Sequence, residues 1–159
     1  NLFELKKCNL MEFQYKKRHE YTEMMKMIYD YSIEGCSDNS ILIGNIMRQV
    51  LEAFSTFEYK KGIVEVSTDR NIINKLDIGY QNYFRNLMYR LILHGGSHKE
   101  EEIRSGRLDF FTVISDDEKV RTAKDILCFM YLLNDMHVIA HLGDIREELD
   151  KWCDEIKNE

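Results

Sequence analysis

The stretch that decides the fold opens with Ser115-Asp116-Asp117-Glu118 and runs, with no glycine or proline between, into Ile126-Leu127-Cys128-Phe129-Met130. Ser followed three residues later by Glu is the spacing of a capping box, in which each side chain satisfies a backbone amide at the start of a helix. The spacing predicts a long helix from Asp116 to about His141. Gly143 then separates it from a final acidic helix, Asp144 to Lys157, whose apolar positions Ile145, Leu149, Trp152 and Ile156 recur at close to helical spacing.

Upstream of this stretch the same periodicity repeats. Tyr80 to His94 reads as a helix with Tyr83, Phe84, Leu87, Met88, Leu91 and Ile92 on one side, broken at Gly95-Gly96-Ser97 and followed by an acidic turn from Lys99 to Arg104. Ile41 to Tyr59 places Ile43, Met47, Val50, Leu51, Phe54 and Phe57 on one face and is expected to stop at Lys60-Lys61-Gly62. Residues 63–66, Ile-Val-Glu-Val, alternate and read as briefly extended, with Ser67-Thr68-Asp69 capping a short helix to about Leu76. Met11 to Ser32 forms another amphipathic helix, stopping near Gly35. The expectation is an all-α bundle of about five main helices plus short pieces, in a single domain.

Composition agrees. The 159 residues are 44% hydrophobic and 31% charged, with nine Tyr, eight Phe, one Trp and eight Met to fill a core and no proline to interrupt a helix. No apolar run approaches the roughly 18 residues of a membrane span, and the amino terminus lacks the pattern of a secretory leader. A cytoplasmic location with no membrane partner is expected. The chain begins at Asn1 rather than Met, which suggests a piece of a longer protein. Cys8, Cys36, Cys128 and Cys153 form no Cys-x-x-Cys pair, so reduced thiols are expected, with Cys128 acting as a small core hydrophobe.

The net charge of −6 argues against nonspecific coating of nucleic acid. It is unevenly placed: residues 44–107 hold ten Lys or Arg against eight Asp or Glu, so a phosphate is best tolerated in the middle segment. There is no P-loop, no dinucleotide fingerprint, no His-Glu-x-x-His and no calcium loop.

Four groups of residues have chemical potential. Arg48 and Glu52 stand one helical turn apart, suited either to a surface ion pair or to a phosphate clamp beside a carboxylate that accepts a proton. His94 and His98 flank two glycines, where a histidine can titrate near neutrality or simply favour a helix C-terminus. His137 and His141 share a helix face, and Asp135 or Asp144 would be needed to complete a metal site; a structural role is expected. Tyr80, Tyr83, Phe84 and Tyr89 fit core packing better than base stacking, and Glu100 to Glu102 fit a solvated face.

Three runs carry a family resemblance: Tyr15-Lys16-Lys17-Arg18-His19-Glu20-Tyr21, Ile43-Gly44-Asn45-Ile46-Met47-Arg48-Gln49-Val50-Leu51-Glu52-Ala53-Phe54, and the Ser97-His98 pair after a helix. Together they resemble the C-terminal part of the PrrC/RloC-like ATPases, over about residues 12–142. In that family of bacterial phage-defence proteins, an ABC-type ATPase is joined to an anticodon nuclease of the HEPN class. The resemblance implies a HEPN-like helical domain and a metal-independent ribonuclease site mapping onto Arg48, Glu52 and His98. It implies RNA, and tRNA in particular, as substrate, no cofactor in this segment, and ATP or GTP with Mg in an ATPase region on the same chain or a separate one. The usual HEPN spacing, Arg followed after four to six residues by His, is not matched: three residues separate Arg90 from His94, and seven separate it from His98. The alternative expectation is a catalytically silent helical module attached to an ATPase, docking a partner protein or a second copy of itself.

Overall fold

Eight helices follow one another through residues 20–35, 40–93 and 114–158, the parts of the chain that the computed structural model describes. They are α1 over 20–34, α2 Ser40–Tyr59, α3 Ile63–Thr68, α4 Arg70–Ile73, α5 Ile78–Leu93, α6 Asp116–Leu133, α7 Asp135–Leu142 and α8 Arg146–Lys157. Among the described residues there is no strand. The fold is an all-α helical bundle, and no described helix is long and apolar enough to cross a membrane.

The centre is α6. Its capping box forms as the spacing predicts, the Ser115 hydroxyl accepting from the Glu118 amide and the Glu118 carboxylate accepting from the Ser115 amide. Five consecutive residues, Ile126 to Met130, are buried, so the helix is covered on every side; α2, α7 and α8 pack on it. Phe84 from α5 meets Phe129 at 5.3 Å between ring centroids, joining α5 to the same core. Cys128 and Cys153 are buried free thiols on α6 and α8, and the hydrogen bond with Cys153, followed by burial, pushes the Cys128 thiol far above its ordinary range.

Five expectations need correction. The span 116–141 is two helices, because Asn134 leaves the helical conformation (φ −156°, ψ 91°). Its amide closes α6 on the Met130 carbonyl, while its side chain caps α7 by accepting from the His137 amide. Asparagine can make both bonds with one residue, and periodicity does not register that. Residues 63–66 are helical, with Ile63 and Val66 turned inward three residues apart and Val64 and Glu65 exposed. The α2 stop uses Lys60, at φ 54°, with Lys60 and Lys61 amides returning to the carbonyls of Thr56 and Ser55. Gly62 instead opens α3. Finally, Phe57 lies at the edge of the α2 apolar stripe but is 64% exposed, since α2 ends two residues later and, among the described residues, no helix covers that edge beyond the Tyr21 ring. The last helix also begins at Arg146 rather than Asp144.

Candidate functional site

Helix α2 buries Ile43, Met47, Val50, Leu51 and Phe54, which turns Arg48, Gln49 and Glu52 outward. These three, with Ala53, Thr56 and Phe57, form one wall of an open groove of about 800 Å³; residues Gly62 to Glu65, at the start of α3, form the other. Arg48 and Glu52 therefore share one solvent-facing concavity. The expected i, i+4 ion pair is absent. Glu52 Oε2 instead accepts the Ile63 amide at 3.0 Å, and Arg48 has no acidic partner among the described residues.

This hydrogen bond explains the glycine at position 62. A Cβ there would lie 3.3 Å from Glu52 Oε1, tighter than most real contacts, so the bare backbone lets the carboxylate dock against the first turn of α3. Glu65 Oε2 accepts the neighbouring Gly62 amide at 3.2 Å. Two carboxylates thus satisfy the free amides at the α3 start. One oxygen of Glu52 remains available to the groove. His98, the third residue of the predicted site, lies outside the described residues, as does His94.

A second polar cluster joins α1 to α2 and α7. The His137 ring lies between Glu58 Oε1, 3.2 Å from Nδ1, and the Tyr21 hydroxyl, 2.9 Å from Nε2. A carboxylate only accepts, so with the ring neutral Nδ1 carries the proton and Nε2 accepts from the tyrosine. The other Glu58 oxygen accepts from Asn134 Nδ2 at 3.0 Å, and His141 Nδ1 lies 2.8 Å from Thr22 Oγ1. Burial holds both histidines below their ordinary pKa, with Glu58 partly opposing this at His137 and the neighbouring His137 reinforcing it at His141. Burial, with the Glu58 charge adding to it, pushes the Tyr21 phenol up. Both ring nitrogens of His137 are thus engaged by protein groups, and among the described residues no group of three His, Cys, Asp or Glu could hold a metal ion. Tyr21 and Glu58 are 116 and 79 positions from His137, a pairing that no local spacing reveals.

A third cluster lies in a cleft of about 290 Å³ lined by Tyr83, Asn86, Arg90, Arg121 and Asp125 among others. The buried Asp125 carboxylate accepts the Tyr83 hydroxyl at 2.9 Å, and Arg121 donates to the same hydroxyl at 3.3 Å. Burial and then Asp125 push the Tyr83 phenol up to about 12. Tyr80 and Phe84 are core residues, whereas Tyr89 is exposed. No family model, curated protein or solved structure matches the chain.

Proposed function

We propose that this chain is a HEPN-like ribonuclease effector of an ATPase-linked phage-defence system, cutting RNA, with tRNA as the substrate. The observation that carries the reading is the presence of Arg48 and Glu52 together in one open groove, the guanidinium without an acidic partner and one carboxylate oxygen without a hydrogen bond among the described residues. Cleavage of RNA through its own 2′-hydroxyl requires three things: a base for that proton, an acid for the departing 5′-oxygen, and positive charge beside the phosphorane. Arg48 supplies the charge in a planar fork that matches phosphate oxygens. Glu52 and His98 divide the two proton transfers. The 2′-oxygen bonds to phosphorus, the bond to the 5′-oxygen breaks, and the products are a 2′,3′-cyclic phosphate and a 5′-hydroxyl. An ATPase region, on the same or another chain, restrains the activity until triggered.

A second reading, a helical module without catalysis that docks a protein partner, is favoured by the use Glu52 already has at the start of α3. The two are separated by incubating the protein with bulk bacterial tRNA in EDTA and mapping the cut ends. The nuclease reading expects cyclic phosphate termini from wild type and loss of cutting of at least 100-fold in Glu52→Gln, His98→Ala and Arg48→Ala. Cutting that survives all three substitutions, or an intact protein that cuts no tRNA when activated, overturns it in favour of the docking module.

A further inference from the structure

We propose that His137 and His141 form a two-proton latch on α1: acid releases Tyr21 and Thr22 from α7 while the rest of α1 stays in the core. The inference goes beyond the ribonuclease reading and does not depend on it. Tyr21 and Thr22 are adjacent in sequence, and each meets its own histidine. The Tyr21 hydroxyl lies 2.9 Å from His137 Nε2, and Thr22 Oγ1 lies 2.8 Å from His141 Nδ1. The histidines are one turn apart on α7, with ring centroids 5.0 Å from each other. Farther along α1, the buried Met25, Ile28 and Tyr31 are held by apolar packing that a proton does not alter.

The latch follows from the groups that face the pair. From α1 these are Tyr21 and Thr22; from α2, the Glu58 carboxylate and the Phe54 ring, 5.1 Å from that of His137. Among the described residues Glu58 is the one carboxylate on the pair, 3.2 Å from His137 Nδ1, and none pairs with His141. The first proton therefore goes to His137, and to Nε2, since Nδ1 already carries one toward Glu58. The Tyr21 hydroxyl turns from donor to acceptor, an ion pair forms with Glu58, and the latch survives.

A second proton, on His141, sets two cationic rings side by side against a single carboxylate. The Tyr21 ring packs on His141 at 4.9 Å between centroids and keeps water from it, so that charge is solvated once Tyr21 and Thr22 move away. Burial already holds both histidines below their ordinary pKa in the closed form. In the open form they titrate near their ordinary value of about 6.5, so the open form takes up protons first and acid favours it. Tyr21 also packs edge-on against Phe57, 5.7 Å between centroids, so opening removes the support behind one edge of the groove.

The test is native-state hydrogen exchange on the full chain from pH 7.5 to 5, corrected for the intrinsic pH dependence of exchange. The amides of Met24 and Met25, which the helix bonds to the carbonyls of Glu20 and Tyr21, report the latch; those of Ile126 to Met130 report global unfolding. Below about pH 6.5 the opening of the α1 start is expected to rise by more than about tenfold per pH unit at its steepest, with α6 still protected. His141→Gln is expected to limit the rise to about tenfold per unit, one proton per opening. Glu58→Gln, which removes the counter-ion of the first proton, is expected to open several-fold further at pH 5.5. Circular dichroism at pH 7.5 confirms that each variant is folded. Exchange at α1 that rises only together with exchange at α6 overturns the proposal in favour of global unfolding. An unchanged pH slope in His141→Gln, or no added opening in Glu58→Gln, overturns the roles given to those side chains and the latch with them.

Discussion

Glu52 has a structural duty that can be separated from its proposed chemistry. Glutamine at this position keeps an oxygen for the Ile63 amide, whereas alanine leaves that amide without its acceptor. Urea unfolding is therefore expected to show Glu52→Gln within about 0.5 kcal/mol of wild type and Glu52→Ala destabilised by about 1 kcal/mol. Both lose tRNA cutting on the proposed mechanism, so equal losses of activity with unequal stability would separate the two duties. Gly62→Ala acts on the same contact from the other side. Its φ of −71° suits any residue, so the penalty is steric: the new methyl displaces the carboxylate. A loss of about 1 kcal/mol is expected, and it should vanish when Glu52 is already alanine, as a double-mutant cycle would reveal. The Arg48 and Glu52 pairing to one face was legible from a spacing of four. That the carboxylate would turn from the arginine to a backbone amide was not, because Ile63 is eleven residues away.

At the scale of elements, the joint between α6 and α7 is the most sensitive point outside the core. Asn134→Ala removes the α7 cap and the bond to Glu58 together, and a loss of about 1–2 kcal/mol is expected in chemical denaturation. The attachment of α1 to α7 gives a pH dependence of definite sign. His137 and His141 have folded pKa values depressed below 6.5, so the unfolded chain takes up protons first as pH falls. Their contribution is fully present above about pH 6.5 and is lost progressively as pH drops from there through the folded values. Thermal melts from pH 7.5 to 5 should show this slope, and His137→Gln with His141→Gln should flatten it; a slope unchanged by both substitutions would refute the assignment. Helix existence was readable from the 3.6-residue period in α2, α5, α6 and α8. Helix ends were less so, since Lys60 in a left-handed turn and Asn134 as a double cap depend on one residue's backbone conformation rather than on a pattern.

Across the whole molecule one core ties the elements together, and α6 supplies its middle. Phe129 touches Phe84 and is 1% exposed, so Phe129→Ala is expected to cost about 3–5 kcal/mol, with the helical signal and Trp152 emission still lost in one transition on chemical denaturation. Separate transitions would show that α8 belongs to a less cooperative unit. The all-α architecture was legible from the absence of proline and the spacing of Met, Leu and Phe. What lay beyond the sequence was which faces meet, above all the approach of α1 to α7. That approach has a kinetic side. Tyr21 reaches His137 across 116 positions, and Thr22 reaches His141 across 119, so α1 can dock only after nearly the whole segment has left the ribosome. Non-local contacts form slowly and late. Since Tyr21 also packs edge-on against Phe57, a chain whose α7 has not yet emerged lacks the His137 anchor behind that wall of the groove.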